Sequence, residues 1–259
     1  MISPWLEVVI VIAAGAAAGT INAIVGSGTL VTFPVLITLG YPPVVATMSN
    51  AVGLVPGGLS GTWGYRRELA GQRRTILKLL PASALGAVTG AVLLFSLPER
   101  SFEVVVPVLI IGALCLVMVQ PRLQRLVKAR RESLSDESSD GHVGPILIAA
   151  VGLAGVYGGY FAAAQGVLLM GILGVMLAQD LQMSNGLKNL LVGVVNLVAA
   201  TIYTVAAHDR IAWAMVGCIA IGSVIGGWLG ARIGRRLSPT LLRGAIVVLG
   251  VTALWRILA

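Results

Sequence analysis

A lysine inside an apolar run is the first residue with a chemistry to explain. Lys188 stands in SNGLKNLLVGVVN, near the start of a long hydrophobic stretch and beside Asn189. A cation flanked by amide donors suits a bound anion; the plainer role is to snorkel from a helix end to the interface. A second polar pair, Ser49 and Asn50, lies in ATMSNAVGLV. Two interruptions, one at Gly26, Ser27, Gly28 and Thr29 and the other at Gln165 and Gly166, cut apolar sequence. A helix that stops and restarts inside hydrocarbon frees backbone amides and turns positive dipole ends inward, and both favour an anion. Glycine lets an oxyanion approach the main chain, although glycine also serves close helix packing. These ten residues are the expected substrate-binding set. Asn22, Tyr157, Tyr160 and Asn196 lie at helical spacing around them as weaker candidates.

The acidic residues exclude other chemistries. All ten (Glu7, Glu68, Glu99, Glu103, Glu132, Asp136, Glu137, Asp140, Asp180 and Asp209) fall in loops or near the ends of apolar stretches. A cation carrier or an internal proton relay would set a carboxylate within the membrane. An enzyme would need a paired acid and base or a metal cluster there. His142 and His208 stand at segment ends, and Cys115 and Cys218 read as small apolar residues. No catalytic residue, metal or cofactor is expected. No nucleotide-binding motif occurs, so transport would be driven by gradients.

The elements that position these residues are membrane helices. Of the 259 residues, 57% are hydrophobic and 11% charged, with mean hydropathy +0.95. Crossing the bilayer takes roughly 20 apolar residues. By that rule about eight full spans occur, at Trp5–Val25, Val44–Gly64, Ile76–Leu97, Phe102–Val119, Val143–Gln165, Gly186–Ala207, Ile211–Ala231 and Leu241–Leu258. Two shorter pieces, Leu30–Leu39 and Val167–Leu177, each follow a break. The expected fold is an all-α polytopic membrane protein with two short broken or re-entrant helices. The N-terminus lacks the basic region of a signal peptide and reads as a retained first span.

The chain divides almost in half at residues 122–142, which turn from basic to acidic and serine-rich and read as a solvated cytoplasmic linker. The first transmembrane repeat is 1–121 and the second 143–259. Gly28 and Gly166, Asn50 and Asn189, Gly86 and Gly222, and Gly90 and Gly226 recur at offsets of 136 to 139 residues. Such internal repeats build secondary transporters, and short interrupted segments at matching places mark a midplane binding site. The net charge of +8 gathers at Arg66–Lys78, Arg122–Arg131 and Arg232–Arg236. The positive-inside rule puts these segments in the cytoplasm, which explains the charge without nucleic acid. With all three inside, each broken region begins and ends on one side and the repeats are inverted; eight plain spans with parallel repeats are the alternative. Gly86, Gly90, Gly222, Gly226 and Gly230 read as packing seams, and small-residue faces of this kind suit a homodimer.

The ordered set of GSGTLVTFPVL, ATMSNAVGLVPGGLSG, GLAGVYGGYFAAAQGVLLMGILGV and SNGLKNLLVGVVN resembles the TauE/SafE sulfite-exporter family, also called the 4-toluene sulfonate uptake permease family. The resemblance spans nearly the whole chain. It implies a transporter in the bacterial cell (inner) membrane that moves sulfite, organosulfonates or related small sulfur-containing anions. Ala162, Ala163 and Ala164 depart from the fuller glycine signature of the second copy, so the resemblance indicates a substrate class and no single substrate. The residues by themselves also allow a carrier of another small anion, such as a carboxylate.

Overall fold

The structure is a computed structural model and describes residues 3–134, 143–177, 179–233 and 239–258. Among them are eleven α-helices, one 3-10 turn at His208–Arg210 and no strand. In chain order the helices are α1 (Pro4–Ile24), α2 (Thr29–Thr38), α3 (Pro43–Gly64), α4 (Arg66–Leu69), α5 (Arg73–Ser96), α6 (Glu99–Leu134), α7 (Pro145–Tyr160), α8 (Gln165–Met176), α9 (Leu181–Ala206), α10 (Trp213–Ile233) and α11 (Pro239–Leu258).

Five of these are long and apolar enough to cross a membrane: α1, α5, the Val104–Arg122 part of α6, α9 and α10. The other expected spans fall short for separate reasons. Helix α7 has 16 residues because it stops at Tyr160. Helix α3 has 22 residues and, at about 1.5 Å per residue, the length to cross, but its polar and glycine residues keep it out of that set; α11, with 20 residues, also has a crossing length.

Two expectations are corrected. Val143–Gln165 is not one continuous span: the chain leaves the helix at 161–164, and Gln165 and Gly166 open α8 instead of forming the break. The basic half of the expected linker is helical, since α6 runs to Leu134. The remainder, 135–142, lies outside the described residues.

Glycine sets the packing. A Cβ on Gly15 would strike Ile219, one on Gly19 would strike Ser223, and one on Gly230 would strike Thr20. Partner numbers rise together along the two helices, so α1 and α10 run parallel. The same holds for α5 and α7, where Gly86 sits on Gly152 and Gly90 on Val156, and for α3 and α10, where Gly57 meets Ser223 and Gly64 meets Ala231. These close approaches are the expected seams, and Thr20 adds a hydrogen bond from its hydroxyl to the Gly226 carbonyl at 3.1 Å. Helix α9 opposes α3: Gly58 packs on Gly193, while Tyr65, further along α3, meets Asn185 and Gly186, earlier in α9.

Exchanging α1, α2, α3, α5 and α6 for α7, α8, α9, α10 and α11 maps the main packing contacts onto one another. The α1–α10 contact becomes α7–α5, α3–α10 becomes α9–α5, and α2–α11 becomes α8–α6. Each half is therefore packed largely through the other. At the far end, the Tyr41 hydroxyl donates to the Glu7 carboxylate at 3.2 Å, which ties the start of α3 to the first turns of α1. Burial and the neighbouring Glu7 charge both raise the Tyr41 phenol above its ordinary value.

Candidate functional site

The two interruptions meet. Helix α1 ends where Val25 and Gly26 both turn their amides back to the Ile21 carbonyl, and Gly26 enters the left-handed region at φ +86. The Gly166 amide, in the first turn of α8, donates to the Gly26 carbonyl at 2.9 Å. A Cβ on either glycine would drive into the other's backbone. Gly26 thus needs glycine twice, once for its conformation and once for the approach. Phe33 of α2 and Phe161 of the second break close one flank, with rings edge to face at 5.2 Å.

Lys188 arrives at this junction from α9. It is 0% exposed, so it does not snorkel. Its Nζ donates to the Asn22 carbonyl at 3.1 Å and the Ala23 carbonyl at 3.2 Å, and Asn189 Nδ2 donates to the same Ala23 oxygen at 3.0 Å. These carbonyls are among the last of α1, where the i+4 donors have turned away. A cation there also meets the negative end of the helix dipole. An ammonium has three donors, and these two bonds account for two.

Asn50 binds side chains at the head of α2 instead of helix-end carbonyls. Its Nδ2 donates to the Thr29 hydroxyl at 3.1 Å, and its Oδ1 accepts from the Thr32 hydroxyl. Ser49, the counterpart of Lys188, is engaged elsewhere, accepting from the Ala212 amide at 2.9 Å just before α10. The cation therefore belongs to one half only.

Ser27 and Gln165 are the residues of note. They occupy equivalent positions in the two halves, both are 0% exposed, and neither Ser27 Oγ nor Gln165 Nε2 or Oε1 has a hydrogen-bond partner. Burying such an atom unpaired costs about 1–3 kcal/mol. Gly158 makes room for the Gln165 amide, since a Cβ there would fall on it. Among the described residues no aspartate or glutamate is buried, and no group of His, Cys, Asp or Glu could hold a metal ion. The buried cation is thus not balanced by a buried carboxylate. The arrangement brings an ammonium, a hydroxyl and a carboxamide to one buried junction, a donor set for a small oxyanion, while the first amides of α8 are taken up by the Ala162, Gly26 and Ala164 carbonyls.

The structure thus joins Gly26, Gly166, Lys188 and Asn189 around the break and links Thr29 to Asn50, while Gly28 packs against Ala18 of α1. Of the weaker candidates, Asn22 contributes its carbonyl, Tyr157 donates to the Ala163 carbonyl, Tyr160 keeps an unpartnered hydroxyl, and Asn196 is buried. Thr32, Gly158 and Tyr203, whose hydroxyl donates to the Gly159 carbonyl, escaped the sequence reading. The one-turn spacing of Thr29 and Thr32 at the head of an apolar helix was a usable signal for the first. The other two had none.

Membrane-length helices enclosing two broken helices that meet at buried polar side chains form the construction of a membrane transporter. The chain belongs to the TauE/SafE sulfite exporter family, whose family model matches residues 11–256. It is 26% identical over 235 residues to a probable membrane transporter protein of Haemophilus influenzae, covering 91% of this chain and 88% of that protein. It is 24% identical over 249 residues to the probable membrane transporter protein YfcA of Escherichia coli strain K12, covering 96% and 88%. A probable membrane transporter protein of Sinorhizobium sp., ORF9, is 27% identical over 155 residues, covering 59% and 55%. No solved structure matches the chain.

Proposed function

We propose that this transporter is a gradient-driven exporter of sulfite, organosulfonates or related small sulfur-containing anions in the bacterial inner membrane, with its site midway through the bilayer between two inverted repeats. The observation that carries the site is Lys188, wholly buried with no buried carboxylate among the described residues, at a junction flanked by Ser27 and Gln165 with unpartnered polar atoms. A sulfonate or sulfite oxygen accepts from the remaining Lys188 N–H, from Gln165 Nε2 and from the Ser27 hydroxyl, and its charge offsets the buried cation.

Several features support the inverted arrangement of eight spanning helices. Helices α3 and α9, equivalent by sequence offset, run antiparallel, so an axis relating them lies across the helices. The Tyr41–Glu7 hydrogen bond at 3.2 Å returns the first broken region to the side where it began. Arg66, Arg67, Arg73, Arg74 and Arg232 follow the ends of the parallel helices α3 and α10, so they share a face, which the charge rule makes cytoplasmic.

The test is a thermal-shift screen of the purified protein against sulfite, thiosulfate, taurine, sulfoacetate and matched carboxylates. Stabilisation by sulfur anions is expected, and Lys188→Met and Ser27→Ala should each lower the apparent affinity at least tenfold, the loss of about 1.4 kcal/mol of charge-assisted hydrogen bonding. Ser27→Ala removes only an unpartnered hydroxyl, so its fold survives even if Lys188→Met does not. A response to carboxylates with none to any sulfur anion would overturn the substrate, and wild-type binding in both variants would overturn the site.

A further inference from the structure

Away from the breaks, the ends of α3 and α10 frame a cavity of about 580 Å³, lined by Trp63, Arg66, Arg67, Glu68, Trp228 and Arg232. The two helices equip it alike. Arg66 stacks its guanidinium 5.0 Å from the Trp63 ring centre, and Arg232 lies 5.1 Å from that of Trp228. Arg66 Nη1 also donates to the Trp63 carbonyl at 3.1 Å, which holds the guanidinium at the cavity wall. Three guanidiniums face one carboxylate, so the cavity is cationic.

Its surroundings separate one anion source from another. Trp63 and Trp228 are 68% and 49% exposed, the half-immersed condition of aromatics at a membrane interface. One helical turn further into the membrane, Leu59 on α3 and Val224 and Ile225 on α10 are exposed and apolar, on the same helix faces as the tryptophans. Ser60 Oγ donates to the Val224 carbonyl at 3.0 Å, which pins the two helices together at that level. A soluble anion would use the guanidiniums alone. A phospholipid uses both parts, with its phosphate on the arginines and an acyl chain along the apolar wall.

We propose that this cavity binds the headgroup phosphate of an anionic phospholipid from the leaflet on the arginine-bearing face. The lipid bridges α3 of the first half and α10 of the second. Basic pockets between membrane helices recognise anionic headgroups by this same pairing of charge and interfacial depth.

The experiment takes the full-length protein, delipidated in detergent, and titrates it with phosphatidylglycerol or phosphatidylcholine while following thermal stability. Phosphatidylglycerol should stabilise and phosphatidylcholine should not. In Arg66→Gln/Arg232→Gln the apparent affinity for phosphatidylglycerol should fall roughly tenfold. Glu68→Gln, which removes the opposing carboxylate, should strengthen it, so the proposal remains testable if the double variant fails to fold. Inorganic phosphate, glycerol phosphate and sulfite, added in excess, should leave the lipid effect in place. Equal stabilisation by both lipids, or an unaltered response in both the double variant and Glu68→Gln, overturns the lipid site. Competition by the soluble anions also overturns it and makes the cavity a collecting basin for soluble anions. None of these outcomes depends on which anion binds at the helix breaks.

Discussion

Gln165 makes the sharpest residue-scale prediction, because a purely structural role and a binding role give opposite signs. A glutamine with neither amide atom partnered destabilises the protein it sits in. Gln165→Leu, close in volume, should therefore raise ligand-free stability by about 1 kcal/mol, or some 2–4 °C. The same variant should weaken sulfite or sulfonate binding, and paired melts with and without anion read both effects. Loss of stability would mean that the amide has partners and is a core residue. Ala162 offers a companion test. It adopts φ +63 without being glycine, in the segment between α7 and α8. Ala162→Gly should add about 0.5–1 kcal/mol, the left-handed strain relieved less the extra freedom of glycine when unfolded. Lys188, Asn50 and the glycines could be read in advance because polar or flexible residues are conspicuous in apolar sequence. Gly158 could not, since its importance comes from a side chain seven positions on that folds back against it.

At the scale of elements, the breaks are held by backbone contact, so their glycines should tolerate no side chain. Gly26→Ala and Gly166→Ala should each cost about 2–4 kcal/mol, combining over-packing with, at Gly26, left-handed strain. Gly112→Ala in α6, where a Cβ would meet nothing, should be neutral or slightly stabilising. Melting curves of the three variants would separate a break-specific effect from a general aversion to alanine. The sequence located the first break well because Gly-Ser-Gly-Thr has no helical reading. It misplaced the second because alanine is the best helix former, and Ala162 to Ala164 gave no sign of leaving the helix. It also took charge for disorder at the end of α6. RLQRLVKARRESL consists mostly of strong helix formers, and propensity prevails where the chain leaves the apolar layer.

Across the whole molecule, the proposed orientation predicts who can reach which residues. In a background lacking Cys115 and Cys218, a cysteine at Arg74 should react with membrane-impermeant reagents only after the cytoplasmic side is opened. A cysteine at Asp209, in the exposed turn between α9 and α10, should react in intact cells. Labelling of both positions from one side would mean that the two do not lie on opposite faces and would remove the topology behind the inverted repeats. The recurring glycines and asparagines suggested a division into halves, whereas the packing of early helices on late ones was not legible, because glycine spacing marks a seam without naming the helix that fills it.

That packing has a consequence during synthesis. Helix α1 finds its close glycine-to-backbone partner in α10, about 200 residues later in the chain. At roughly 5–20 residues per second, the ribosome delivers that partner some 10 to 40 seconds after α1 has entered the membrane. Until then the Gly15 and Gly19 face of α1 is an unfilled groove, open to lipid or to the insertion machinery. A fragment ending at Leu134 should be degraded when made alone and rescued by co-expression of a fragment starting at Val143, so that the newborn first half depends on the arrival of the second.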